Sequence, residues 1–234
     1  MARTPPPQVT LAEVRAELAA LDDPRMRAVN ARHGDDHGVN LTGLRGLAKR
    51  LKTQQPLALE LWATGDADER LLAVLVCRPR DFTVDELDTM LREARLPKVH
   101  GWLVDHVVEK SPHVEELRGR WVADDDPVVE SAGWALTTDR VAKAPDGLDL
   151  PGLLDEIEAR MAAAPDRLQW AMNHCLAQIG IEHPAHRERA VAIGERLQVL
   201  ASYPTPKGCT SPFAPLWIAE MVHRRADDPV GVRA

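Results

Sequence analysis

The chain has 234 residues, of which 44% are hydrophobic and 28% charged, and its formal net charge is −7. That balance supports a packed core and excludes a disordered composition, while the negative charge excludes a uniformly basic nucleic-acid binder: any DNA site must be a segregated Lys and Arg patch. Three cysteines, Cys77, Cys175 and Cys209, stand in unlike contexts with no CxxC pair, so neither a disulfide framework nor a zinc knuckle is suggested, and a reducing compartment fits best.

Apolar residues recur at helical spacing almost everywhere and no segment alternates with period two, so the reading is all-α without strands. Residues 1–9 are expected to be a flexible N-terminus, 10–225 a single domain and 226–234 a flexible tail. A first helix begins near Thr10, which forms a capping box with Glu13. Asn40 caps the next, in which Leu44, Leu47, Ala48 and Leu51 make the apolar face and Arg45, Lys49 and Lys52 a basic stripe at i, i+4 and i+7. After a break at Pro56, one helix carries Leu57, Leu61 and Trp62; Asp66 opens another with Leu71, Val74 and Leu75 inward, stopped by Pro79.

A second capping box, Thr83 with Glu86, starts a helix running towards Leu96, and Pro97 opens a segment with Val99, Leu103 and Val107 inward. Further helices are predicted over 114–121, 127–138, 150–163, 166–179, 184–200 and 213–225. Ala144 to Asp149, with its Pro and Gly, is the best internal linker candidate. Paired short helices without a strict residue period suit degenerate HEAT-like repeats, in which neighbours bury each other's apolar faces; a helical bundle is the simpler alternative.

Two helix faces carry candidate chemistry. Trp102, Asp105, His106 and Glu109 fall at i, i+3, i+4 and i+7, and on a later helix Trp170, Asn173 and His174 lie beside a core stripe of Leu168, Met172, Cys175 and Ile179. Asp105 is the carboxylate nominated to stabilise positive charge as a glycosidic bond breaks. Trp102, Trp170, Asn173 and His174 are nominated to line the same side, where aromatic faces attract cations. The alternative for each is a groove-filling aromatic or a solvated polar group. Arg45, Lys49, Arg50, Lys52 and Lys207 are candidate phosphate contacts, or else ordinary solvated cations. His106, Glu109, His174 and Cys209 match no zinc template, so neither metal nor cofactor is expected. Asp124 to Asp126 reads as a helix cap, and Cys209, in an ordered turn with Gly208, as a structural thiol. No apolar stretch reaches the roughly 18 residues of a membrane span, and a cytoplasmic monomer is expected.

The run His37-Gly-Val-Asn-Leu-Thr-Gly-Leu-Arg-Gly-Leu-Ala-Lys49, then Leu61-Trp62, Glu69-Arg-Leu-Leu-Ala73, Trp102-Leu-Val-Asp105, Trp134 and the Lys207 to Trp217 segment resemble the DNA alkylation repair (AlkD-like) family over residues 37–225. The resemblance implies a HEAT-like repeat α-solenoid with a basic groove for duplex DNA and excision of cationic N3- or N7-alkylpurines without a cofactor. Asp105 matches the catalytic aspartate. Two positions depart from the active pattern: Gly101 stands where an aromatic residue precedes that aspartate by four, and His174 where a second aromatic is found. Some relatives lacking the full set bind DNA, including branched forms, without excision. Three readings follow: a glycosylase, a non-catalytic DNA-binding module, and a helical scaffold for protein partners.

Overall fold

The computed structural model describes residues 9–227, so the expectations for the two termini fall largely outside the described residues. About the backbone the sequence reading holds well: 73% of the described residues are helical, with 13 α-helices among them, and the one departure there is an isolated antiparallel bridge between Asp22 and Val39. By contacts the chain divides into two units that meet between Glu115 and Glu116.

The first unit contains α1 (Leu11–Leu21), α2 (Pro24–Ala31), α3 (Leu41–Leu51), α4 (Gln55–Ala63), α5 (Ala67–Val76), α6 (Val84–Glu93) and α7 (Pro97–His106). The capping boxes of α1 and α6 form as predicted, each satisfying two otherwise orphan amides, and Asn40 accepts from the Gly43 amide at 2.7 Å. Pro56 lies in the first turn of α4, where its missing N–H costs nothing, and does not precede the helix. α6 ends at Glu93, short of Leu96, because the residue before Pro97 is pushed into an extended conformation. α5 is the centre: Leu71, Leu72, Ala73, Val74 and Val76 are all buried, and α3, α4 and α7 pack against it.

α2 is absent from the sequence reading, and its composition explains why. None of its residues is buried, so it offers no apolar periodicity, and charge holds it in place. Arg27 pairs with Asp22 at 2.7 Å and with the buried Asp68 of α5 at 2.9 Å; Asp68 also accepts from the Gly38 and Val39 amides at 3.0 and 2.9 Å. A Cβ on Gly38 would stand 1.8 Å from Asp22 Oδ1, so the His37-Gly38-Val39-Asn40 run serves this knot and the cap of α3.

α8 (Val114–Val122) carries the border between units. The second unit contains α9 (Pro127–Lys143), α10 (Leu150–Arg160), α11 (Asp166–Glu182), α12 (Pro184–Leu197) and α13 (Ala214–Asp227). Here α11 is central, packed against α9, α12 and α13. Leu168, Met172, Cys175, Leu176 and Ile179 form its buried stripe, in which the leucines, Met172 and Ile179 each contribute about 1.5–3 kcal/mol. Gly133 lets the end of α8 approach α9, since a Cβ there would lie 2.3 Å from the Val122 amide nitrogen. Trp134 is fully buried and donates its indole N–H to Glu130, which is paired with Arg160. The linker candidate Ala144–Asp149 is a loop inside this unit, not a boundary: Arg140 donates to the carbonyls of Ala144 and Asp146 and ties it down.

Candidate functional site

In the first unit α3 and α7 both lie against α5, and this brings predicted residues together. Val99 and Leu103 turn α7 inward, which puts Trp102 at the border of the core, 6% exposed, and Asp105 in solvent. The Arg45 guanidinium of α3 sits over the Trp102 ring, 5.2 Å from its centroid, and the His106 ring meets Trp102 at 5.1 Å and 60°. Trp102 is therefore a covered surface, holding a cation that a cation–π contact favours by about 0.5–2 kcal/mol.

Asp105 stands in the last turn of α7, where the helix dipole carries its negative end, so carboxylate and dipole add. His106 is held below the ordinary histidine range, first by burial, then by Lys110 and Arg45 and against the pull of Asp105. At neutral pH the imidazole is uncharged and does not repel a cation. Gly101 lies on the preceding turn, and a Cβ there would meet no heavy atom within 4 Å. The position that carries an aromatic residue in the resembling pattern opens onto space.

Arg45, Lys49 and Lys52 are exposed and line a shallow groove of about 340 Å³ with Ala48, Thr53 and Leu75. Arg50, grouped with them by sequence, points elsewhere and pairs with Glu17 of α1. Its neighbours in sequence are a helical 100° apart or more, which separates it from the stripe.

In the second unit α11 presents Trp170 and His174 one turn apart. Trp170 is 39% exposed and meets Tyr203 edge to face at 5.1 Å and 67°. His174 stacks on Trp217 of α13 at 5.0 Å and 14°, and burial lowers its pKa. Asn173 departs from its predicted place beside a ligand: it is 2% exposed and donates its amide to the Pro212 carbonyl at 2.9 Å, so it fastens the loop before α13. Lys207 and Cys209 are exposed on that loop, beside Gly208 at a φ of +86°. Sequence reasoning missed Tyr203 altogether and Trp217 as a partner of His174. The first has no local signal; the second lay within the quoted Lys207 to Trp217 segment.

Cys77 and Cys175 are pushed up to about 12 by burial and are thiols at neutral pH, not nucleophiles. Asp126 caps α9 by accepting from the Val128 amide at 2.9 Å. Among the described residues no group of three or more His, Cys, Asp or Glu is assembled for a metal, and no helix is long and apolar enough to cross a membrane.

One family model matches most of the chain, and one solved structure shares its fold. The model of the family described as DNA alkylation repair enzyme matches residues 14–214. The match begins upstream of the run at His37 and takes in most of α1 and all of α2. The fold is similar to that of a solved protein from a new family of proteins related to the HEAT-like repeat DNA glycosylases with affinity for branched DNA structures. The two share 23% identity over 92% of this chain and 95% of the other, with a TM-score of 0.76, which establishes a HEAT-like repeat fold. No curated protein sequence matches the chain.

Proposed function

We propose, starting from the fact that this chain belongs to the DNA alkylation repair enzyme family, that it binds DNA and excises cationic alkylpurines by hydrolysis of the N-glycosidic bond, with Asp105 as the electrostatic stabiliser. The observation that carries this reading is the placement of Asp105: an exposed carboxylate at a helix C-terminus beside His106, one turn from Trp102, whose ring the Arg45 guanidinium covers. An N3- or N7-alkylated purine is already positive. As its bond to C1′ breaks, the electron pair leaves with the base, which becomes neutral, and the positive charge passes to the deoxyribose. Asp105 favours that charge, a water adds at C1′ and its proton goes to solvent. No general acid and no metal is required for this step. Arg45, Lys49 and Lys52 supply phosphate contacts that hold the backbone in register.

A second reading, DNA binding without chemistry, is favoured by two observations. The open face of Trp102 is already taken by the protein's own Arg45, and Gly101 supplies no ring before Asp105. The solved protein of similar fold is itself described by its affinity for branched DNA.

The test is base release from methylated duplex by wild type and by Asp105→Asn, alongside salt-dependent binding of both. Release by wild type, lost in the variant with binding retained, supports the glycosylase. Salt-sensitive binding without release leaves the second reading. In either case Lys49→Gln should lower the salt slope by about one.

A further inference from the structure

Among the described residues only two aromatic side chains are exposed, Trp170 at 39% and Tyr203 at 50%, and they touch each other. The other tryptophans are buried or half-buried, and Trp62, Trp102, Trp134 and Trp217 each have a specific polar or ring partner. A protein that buries its aromatics so consistently and leaves one contiguous pair in solvent leaves a surface that calls for a partner.

The backbone that delivers Tyr203 is strained. Gln198 and Leu200 both adopt left-handed conformations, at φ of 54° and 60°, and a branched aliphatic residue there is an outlier that costs on the order of 1 kcal/mol or more. The turn is nonetheless well formed: the Ala201 amide donates to the Gln198 carbonyl at 3.2 Å and the Tyr203 amide to the Leu200 carbonyl at 3.1 Å. Asn173, three residues beyond Trp170 on α11, fixes the far end of the same loop at Pro212. The loop is thus pinned on both sides of Tyr203 and Lys207, with the phenol ring set against the indole.

Trp170 and Tyr203 touch edge to face while keeping 39% and 50% of their surface in solvent, so aromatic surface beside the contact stays open to a third ring. The same loop places the exposed cation of Lys207 four residues after Tyr203. Flat π-surface with a cation on one short segment matches an unpaired nucleotide: base on ring, phosphate towards ammonium.

We infer that Trp170 and Tyr203 form a stacking platform for an unpaired nucleobase of a DNA strand, with Lys207 as its phosphate contact. The inference rests on the DNA-binding reading above, though not on excision. It gives the second unit a task of its own, recognition of bases that have left the duplex, and it separates Trp170 from the alkylpurine chemistry assigned to Asp105.

The test uses the full chain and two probes, a blunt duplex and the same duplex with a single-stranded thymidine tail carrying 2-aminopurine. Wild type should bind the tailed duplex about tenfold more tightly than the blunt one, and binding should quench the 2-aminopurine. Tyr203→Ala and Trp170→Ala should lose both the preference and the quenching while keeping blunt-duplex affinity. Tyr203→Phe, which keeps the ring, should retain them, and Lys207→Gln should weaken tail binding without abolishing quenching. If wild type binds both probes equally and leaves the 2-aminopurine bright, the platform is wrong and the DNA-binding reading stands. If it binds neither, both fail. Self-association lost in Tyr203→Ala, without a tail preference in wild type, would assign the surface to a second copy and also overturn the inference.

Discussion

Trp102 and Trp170 share one sequence pattern, a tryptophan four residues before a histidine on a helix, yet they meet opposite surroundings. In the first unit Trp102 is buried, with 6% of its surface exposed, and takes His106 and the Arg45 cation as partners. In the second, Trp170 stays exposed and pairs with Tyr203, while His174 turns to Trp217. Helical spacing puts both rings of each pair on one face; what arrives over that face decides the rest. α3 brings a cation from its solvent stripe, whereas a strained loop and α13 bring two more aromatic rings. The same motif yields a charged, covered site in one case and an open apolar one in the other.

The contrast breaks most visibly by truncation. Trp102→Ala removes a buried indole and is expected to cost about 3–5 kcal/mol, whereas Trp170→Ala, half in solvent already, should cost about 1 kcal/mol or less. Urea unfolding of both variants measures this, and equal losses would show that the two rings are not differently placed.

Titration sharpens it further. His106 and His174 both have folded pKa values below the ordinary one, burial being the first cause in each. The unfolded chain therefore takes up protons below a pH of about 6.5 that the folded chain resists, so stability is level above that pH and falls as the pH drops through the folded values. The two histidines differ in their neighbours. Asp105→Asn should lower the NMR-measured pKa of His106 further and leave His174 unmoved, and Arg45→Gln should raise that of His106. A shift in His174 with either variant would contradict this assignment of charges.

The smallest effect is expected at Gly101. It lies inside α7 with open space at its β position, so Gly101→Ala should stabilise the protein by about 0.5–1 kcal/mol in thermal unfolding. A loss of stability would mean that the space beside Asp105 is more crowded than the backbone indicates.

Much of this was legible in the chain because it depends on near neighbours in sequence. The Thr10–Glu13 and Thr83–Glu86 boxes, the Asn40 cap and the Arg45, Lys49 and Lys52 stripe all follow from spacing within one or two turns. α2 was not legible, because its place depends on Arg27 reaching Asp68, 41 residues away, though the Asp23-Pro24 pair was an unused start signal. Sequence alone groups Arg50 with its neighbours because nothing local announces Glu17, 33 residues earlier. Helical spacing sets Asn173 beside the candidate ligand face for the same reason: its partner, Pro212, lies 39 residues on. Tyr203 reaches Trp170 through two left-handed residues that no propensity predicts.

The most direct measurement of where the chemistry resides is abasic-site formation in duplex DNA carrying N7-methylguanine, with wild type, Asp105→Asn and Tyr203→Ala side by side. Wild type and Tyr203→Ala should release the base at the same rate, and Asp105→Asn should fall by about 100-fold. Undiminished release by Asp105→Asn, or none by wild type under conditions where it binds DNA, would contradict a catalytic role for the carboxylate at the end of α7.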